Sequence, residues 1–150
     1  MPQSLVKNYM HIVFSTKKRQ PFIDKSIASE LHAYLGSICK ELGCPVIIVG
    51  GIENHVHILC LLSKNISLAE LVGKIKANSS KWMKTKGPQY ANFYWQRGYG
   101  GFSVNPSETE VIKKYIQNQE EHHKNRTFKE EYRLFLKKYE MEFDEQYVWD

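Results

Sequence analysis

Residues 45–63 read PVIIVGGIENHVHILCLLS, and this stretch decides the architecture. A short β-branched run, Val46–Val49, is closed by Gly50 and Gly51, and a second apolar run follows from His55 to Leu62. Two such runs parted by glycines and the polar pair Glu53-Asn54 predict a β-hairpin. Side chains alternate along a strand. His55, His57, Leu59 and Leu61 therefore share one face, and Val56, Ile58, Cys60 and Leu62 take the other. Two imidazoles side by side on one face can grip a single ion, since imidazole is the commonest protein metal ligand. Two histidines near a strand end, each satisfied by ordinary hydrogen-bond partners, would also account for them. A third ligand would have to come from His11, His32, His122, His123, a carboxylate or an amide oxygen, and spacing does not choose among these.

The chain on either side supplies the rest of the fold. Residues 5–16, LVKNYMHIVFST, are β-branched and aromatic and read as a strand. A basic loop, Lys17, Lys18 and Arg19, follows. Asp24 is placed to cap a helix whose apolar residues Ile27, Leu31, Leu35, Ile38 and Leu42 recur every three or four positions until Gly43. Ser67 and Glu70 have capping-box spacing and open a second helix, running to about Lys86. The aromatic, glycine-rich residues 90–104 read as strand and loop. Ser107 and Glu110 repeat the capping-box spacing ahead of a third helix over about 107–124, and residues 127–140 form a helical tail. The order β-α-β-β-α-β, then helices, is the ferredoxin-like pattern of the α+β class, in one domain spanning 1–150 with a core over about 5–104. Two helices cover one face of its antiparallel sheet, and the other face is expected to be free for a ligand or another subunit.

The 150 residues carry a net charge of +5, with 42% hydrophobic and 25% charged residues. That balance fits a globular chain with a modest preference for polyanions. Cys39, Cys44 and Cys60 are odd in number and lack CxxC spacing, which argues against a disulfide framework and points to a reducing cytoplasm. No apolar run is long enough for a membrane span. Candidate DNA contacts are the basic loop Lys17, Lys18 and Arg19, then Lys74 and Lys81 on one line of the second helix, and Arg97 among Tyr94, Trp95, Tyr99 and Phe102. On the third helix Tyr115 and Gln119 are four apart and share a face. Tyr115 there is either a core residue beside Ile112 and Ile116 or a presented nucleophile.

HVH at 55–57, WQRGYGGFSV at 95–104, YIQNQEEHH at 115–123 followed by TFKEEY, and HIVFSTKKRQPFI at 11–23 together resemble the single-tyrosine HUH transposases. The resemblance extends from about residue 8 to 140. It implies that His55, His57 and Gln119 hold a divalent metal, Mg²⁺ or Mn²⁺, and that Tyr115 attacks a phosphodiester of single-stranded DNA to give a 5′-phosphotyrosine. It further implies substrates with hairpins at element ends, a homodimer and no organic cofactor. Two neutral imidazoles and a neutral amide would leave the ion's charge uncompensated beside the phosphate. A close variant is a domesticated palindrome-processing endonuclease. Two other readings are a ferredoxin-like nucleic-acid-binding module without catalysis and a histidine-metal hydrolase using water.

Overall fold

A computed structural model describes residues 2–150. Four antiparallel strands form one sheet: β1 (Asn8–Ser15), β2 (Val46–Ile52), β3 (His55–Leu62) and β4 (Gly100–Val104), in the order β2-β3-β1-β4. The pairing is the ferredoxin-like one expected. In the register, Val13 lies opposite His57 and Ser15 opposite His55, while Gly50 and Ile52 of β2 flank the same two histidines.

Helices α1 (Lys25–Glu41) and α2 (Leu68–Lys84) cover one face. Asp24 caps α1 through its carboxylate, which accepts from the Ser26 and Ile27 amides, and Ser67 caps α2 by accepting from the Glu70 amide. Gly43 takes φ +76° after α1, a conformation that costs glycine little. Ile12, Phe14, Val56, Ile58 and Cys60 from the sheet meet Leu31, Leu35, Leu71, Val72 and Ile75 from the helices in the main core. All three cysteines are buried and unbridged. No described helix is long and apolar enough to cross a membrane.

The other face differs from expectation. It is covered by α3 (Thr109–Gln117), α4 (Gln119–His122) and α5 (Phe128–Lys138). Ile112 and Ile116 of α3 pack on Ile48 and Leu59, while Phe128, Tyr132 and Leu136 of α5 pack on Val13 and Phe102. These apolar stripes leave the sheet no free face. The single helix expected over 107–124 is interrupted at Asn118, which has φ −100° and ψ +26°. The expected Ser107–Glu110 cap is absent: α3 follows Glu108 with no side-chain cap, and Asn105 instead caps a 3-10 turn, Pro106–Glu108, by accepting from the Ser107 amide. The first strand starts later than expected, and Leu5 and Val6 are exposed.

Glycine decides how near α3 comes. A Cβ on Gly50 would sit 2.8 Å from Ile116 Cγ2 and 3.0 Å from the Ile116 carbonyl oxygen. The bare backbone of β2 thus lets α3 settle directly on the strand beside the two histidines.

Candidate active site

His55 and His57 project from β3 into the space between the sheet and α3–α5, and both are fully buried. Gln119, at the start of α4, turns its Oε1 to within 3.0 Å of His55 Nε2. Glu131, on α5, brings Oε1 to 3.0 Å from His57 Nε2 and 3.5 Å from His55 Nε2. Tyr115, half-buried on α3, donates its hydroxyl to Glu131 Oε2, and its ring stands almost perpendicular to that of His57 with centroids 5.9 Å apart. The sequence-predicted Tyr115, His55, His57 and Gln119 therefore meet within one chain.

The remaining histidines separate cleanly. His11 lies behind the site, its Nε2 2.8 Å from His57 Nδ1. His32 is on α1, across the sheet. His122 packs its ring on Tyr115, with centroids 4.4 Å apart. His123 enters the cluster, with Nε2 at 3.1 Å from Gln119 Oε1 and 3.2 Å from Glu131 Oε2.

Proton accounting shows what the cluster can hold. Burial, with His57 nearby, pushes His55 down to about 3, so its ring is neutral and carries one proton. The proton sits on Nδ1, which donates to Asn54 Oδ1 at 2.8 Å. His55 Nε2 is then a bare lone pair facing the oxygens of Gln119 and Glu131. These three atoms converge, the Gln119 and Glu131 oxygens accepting hydrogen bonds from His123 Nε2 and His57 Nε2, and together they are donor atoms that a cation could take. Six-coordinate Mg²⁺ with bonds of about 2.0–2.1 Å places neighbouring ligand atoms about 3 Å apart, close to the spacings seen here. The ligand atoms of His55, His57 and Glu131 lie within 4.8 Å of one another. The Asn54 and His11 contacts at the two Nδ1 atoms fix ring orientation from behind, as the outer partners of metal-binding histidines do. The residues fit a divalent ion.

His123 is the cationic member. Its Nδ1 faces the Arg126 carbonyl at 2.7 Å and its Nε2 faces only oxygens, so both nitrogens donate. Burial opposes this charge, but the bonds to Glu131 and Arg126 outweigh it and raise the group. Burial alone would raise Glu131 too. Hydrogen bonds from His123 and His57 prevail and hold its carboxyl well below the usual range. Burial and the neighbouring Glu131 charge push Tyr115 upward, so its phenol is protonated in this arrangement.

A stability consequence follows from linkage. The unfolded chain binds a proton at His55 below its ordinary value of 6.5, while the folded chain resists it down to about 3. Burial lowers His11 in the same sense. Stability from these groups is complete above pH 6.5 and falls as pH drops toward 3. His123 works oppositely, its contribution being complete below 6.5 and fading above. Denaturant unfolding of the metal-free protein at pH 7 and pH 5 is expected to show a loss of about 2 kcal/mol from His55 alone, at roughly 1.4 kcal/mol per pH unit.

The basic residues divide. Lys17, Lys18, Arg19 and Arg97 line one cleft of about 480 Å³ with Tyr94, Trp95, Trp149 and Asp150. Their turn leaves β1 where β3 begins, and the Thr16 amide donates to the Asn54 carbonyl at 2.9 Å. Lys74 and Lys81 are on α2, across the sheet from the histidines, and Lys74 pairs with Glu70 at 3.4 Å. Lys76, unremarked in the sequence, bonds the carbonyls of Gln96, Arg97 and Gly98 and so fixes the loop carrying Arg97.

Glu131 is the residue that sequence reading missed. Its signal was present: it falls three after Phe128 and four before Phe135, on the apolar stripe of α5, where a carboxylate needs a partner.

The comparisons with known proteins cover most of the chain. The family model for IS200-like transposases matches residues 4–119. The chain belongs to that family. An IS200-like transposase is a DNA-processing enzyme. The ISDra2 transposase TnpA of Deinococcus radiodurans is 25% identical over 114 residues, covering 73% of this chain and 81% of the relative. Among solved structures, a Deinococcus radiodurans protein described as a transposase superposes with a TM-score of 0.62 at 22% identity, covering 79% of this chain and 98% of that one. A REP-associated tyrosine transposase bound to a REP hairpin superposes at 0.60 with 13% identity, covering 82% and 73%. Both show the same fold. The family match ends at Gln119, so α5 and Glu131 lie beyond it.

Proposed function

We propose that this transposase cleaves and rejoins single-stranded DNA at hairpin-marked ends through a 5′-phosphotyrosine at Tyr115, with Mg²⁺ or Mn²⁺ held by His55, His57 and Gln119. The observation that carries the reading is the meeting of Tyr115 with the two histidines in one buried cluster of a single chain. The hairpin on the superposed REP-associated enzyme supports the substrate class.

In this reading the Tyr115 hydroxyl gives up its proton as its oxygen bonds to phosphorus, the phosphorus bond to the 3′-oxygen breaks, and the released 3′-oxygen takes up a proton to become a hydroxyl. An incoming 3′-hydroxyl reverses the step, so strand transfer needs no nucleotide triphosphate. The ion supplies Lewis-acid stabilisation of charge on the scissile phosphate. His55 and His57, oriented by Asn54 and His11, present their Nε2 atoms to it. Gln119 presents an oxygen while its amide nitrogen faces the Tyr115 carbonyl at 3.5 Å, tying ligand to nucleophile across one helical turn. Lys17, Lys18, Arg19 and Arg97 neutralise backbone phosphates, and exposed Tyr94 offers a ring for an unpaired base, a contact worth about 1–3 kcal/mol. Lys74 and Lys81 would serve DNA that wraps to the far side of the sheet. A homodimer belongs to the same reading, with β2 and β4 as the available edge strands.

The test is a denaturing gel of hairpin-bearing single-stranded DNA incubated with the protein and Mn²⁺. A protease-sensitive, SDS-resistant adduct on the 5′ side of the cut is expected. Tight hairpin binding with neither adduct nor cut across a panel of hairpin substrates would establish the non-catalytic module instead.

A further inference from the structure

We propose that Glu131 is a fourth, anionic ligand of the metal site, binding the ion through Oε1 while Oε2 holds the Tyr115 hydroxyl. The inference rests on the reading that His55 and His57 bind a divalent ion. The family resemblance assigns three neutral ligands, and α5 lies outside the family-matched residues.

The two carboxylate oxygens have different neighbours. Oε1 is the oxygen near both imidazoles, at 3.0 Å and 3.5 Å from their Nε2 atoms. Oε2 faces away from them, toward the Tyr115 hydroxyl and His123 Nε2. Oε1 accepts from His57 Nε2, a bond that an ion would replace once the His57 proton sits on Nδ1, while Oε2 keeps its hydrogen bonds. The carboxylate is buried, which isolated charges avoid unless paired or metal-bound. Its backbone is fixed because Phe128, Tyr132 and Leu136 anchor α5 on either side.

The chemistry of the ion favours the assignment. Mg²⁺ and Mn²⁺ prefer oxygen donors, carboxylates above all, and two imidazoles with one amide form a poor set for them. Adding Glu131 gives a two-histidine, one-carboxylate group with an amide beside it. The negative charge of Glu131 would also offset part of the ion's charge. Through Oε2 the same carboxylate holds the phenolic oxygen one carboxyl group away from the ion, so Glu131 is a positioning residue for Tyr115 as well as a ligand.

Titration calorimetry with Mn²⁺ on DNA-free protein tests this, using wild type, His57→Ala, Glu131→Gln and Tyr115→Phe. Glu131→Gln is expected to weaken Mn²⁺ by at least about tenfold, within the 10–100-fold typical of lost metal-site partners. Tyr115→Phe removes the partner of Oε2 alone and is expected to stay within about threefold of wild type. Unchanged affinity in Glu131→Gln, with affinity lost in His57→Ala, overturns the role of Glu131 and leaves the histidine site standing. Unchanged affinity in His57→Ala overturns the metal reading itself. Should Glu131→Gln fail to fold, infrared difference spectra of wild type labelled with ¹³C-glutamate decide. A Mn²⁺-induced shift of one buried carboxylate stretch supports ligation, and its absence refutes it.

Discussion

Replacing Tyr115 with phenylalanine is expected to abolish the covalent DNA adduct and to slow strand cleavage at least about 10³-fold, the scale on which removing a nucleophile acts. The ring and its packing against His57, His122 and Phe135 remain. Only the oxygen is lost, so hairpin binding measured by gel shift should stay within about threefold. The stability change is bounded too. One hydrogen bond to a carboxylate is lost, worth about 1.5–3 kcal/mol, and Oε2 keeps His123. Cleavage retained by Tyr115→Phe would assign attack to water and make the protein a metal-dependent hydrolase. The contrast is sharp because the structure holds the Tyr115 phenol in its protonated form, pushed up by burial and Glu131. Activation therefore requires the phenolic proton to leave as the phosphate arrives.

Much of the fold was legible because local signals agreed with one another. The hairpin at 46–62 carried glycines, β-branched residues and strict alternation, and the structure puts Val56, Ile58 and Cys60 in the main core with His55, His57 and Leu59 on the other side. Caps at Asp24 and Ser67 marked helix starts because each side chain accepts from an amide two or three residues ahead. What failed was tertiary. Ser107 had cap spacing, but Asn105, just ahead of Pro106, caps a 3-10 turn there, and α3 starts only at Thr109. The break at Asn118 has no helix-breaking residue to announce it; it turns Gln119 inward, where it is buried. The second face of the sheet looked free because the stripes of α3 and α5 do not say which surface they will cover.

The site was legible in proportion to how local its pattern is. His55 and His57 are two apart on one strand, so their common face follows from geometry alone. Tyr115 and Gln119 share a helical face, yet only the family resemblance joined them to histidines some sixty residues earlier. His123 follows the end of α4 while Glu131 lies on α5, and they carry no mutual spacing. A charged residue on the apolar stripe of α5 was the available clue, and it says only that a partner exists. Lys74 and Lys81 illustrate the converse, since a line of lysines on a helix is compatible with any surface, and here it is the surface of α2 across the sheet from the cluster.

His57→Ala should remove cleavage altogether while hairpin binding persists, because His57 is buried away from the DNA surface and in the proposed reading would hold the ion. The metal-free protein pays as well. Glu131 Oε1 and His11 Nε2 each lose a buried partner, and such groups cost about 1–3 kcal/mol apiece when left unsatisfied. The folded fraction must therefore be measured alongside activity, and thermal unfolding supplies a second reading. Ligand that binds only the native state stabilises it by RT ln(1 + [L]/Kd), about 2.7 kcal/mol at a hundredfold excess over Kd. Mn²⁺ should raise the melting temperature of wild type by several degrees and leave that of His57→Ala unmoved. The two effects separate structure from chemistry. A variant that melts early yet still responds to Mn²⁺ and still cuts would remove His57 from the metal site, whereas a folded variant silent in both assays fixes the imidazole as a ligand.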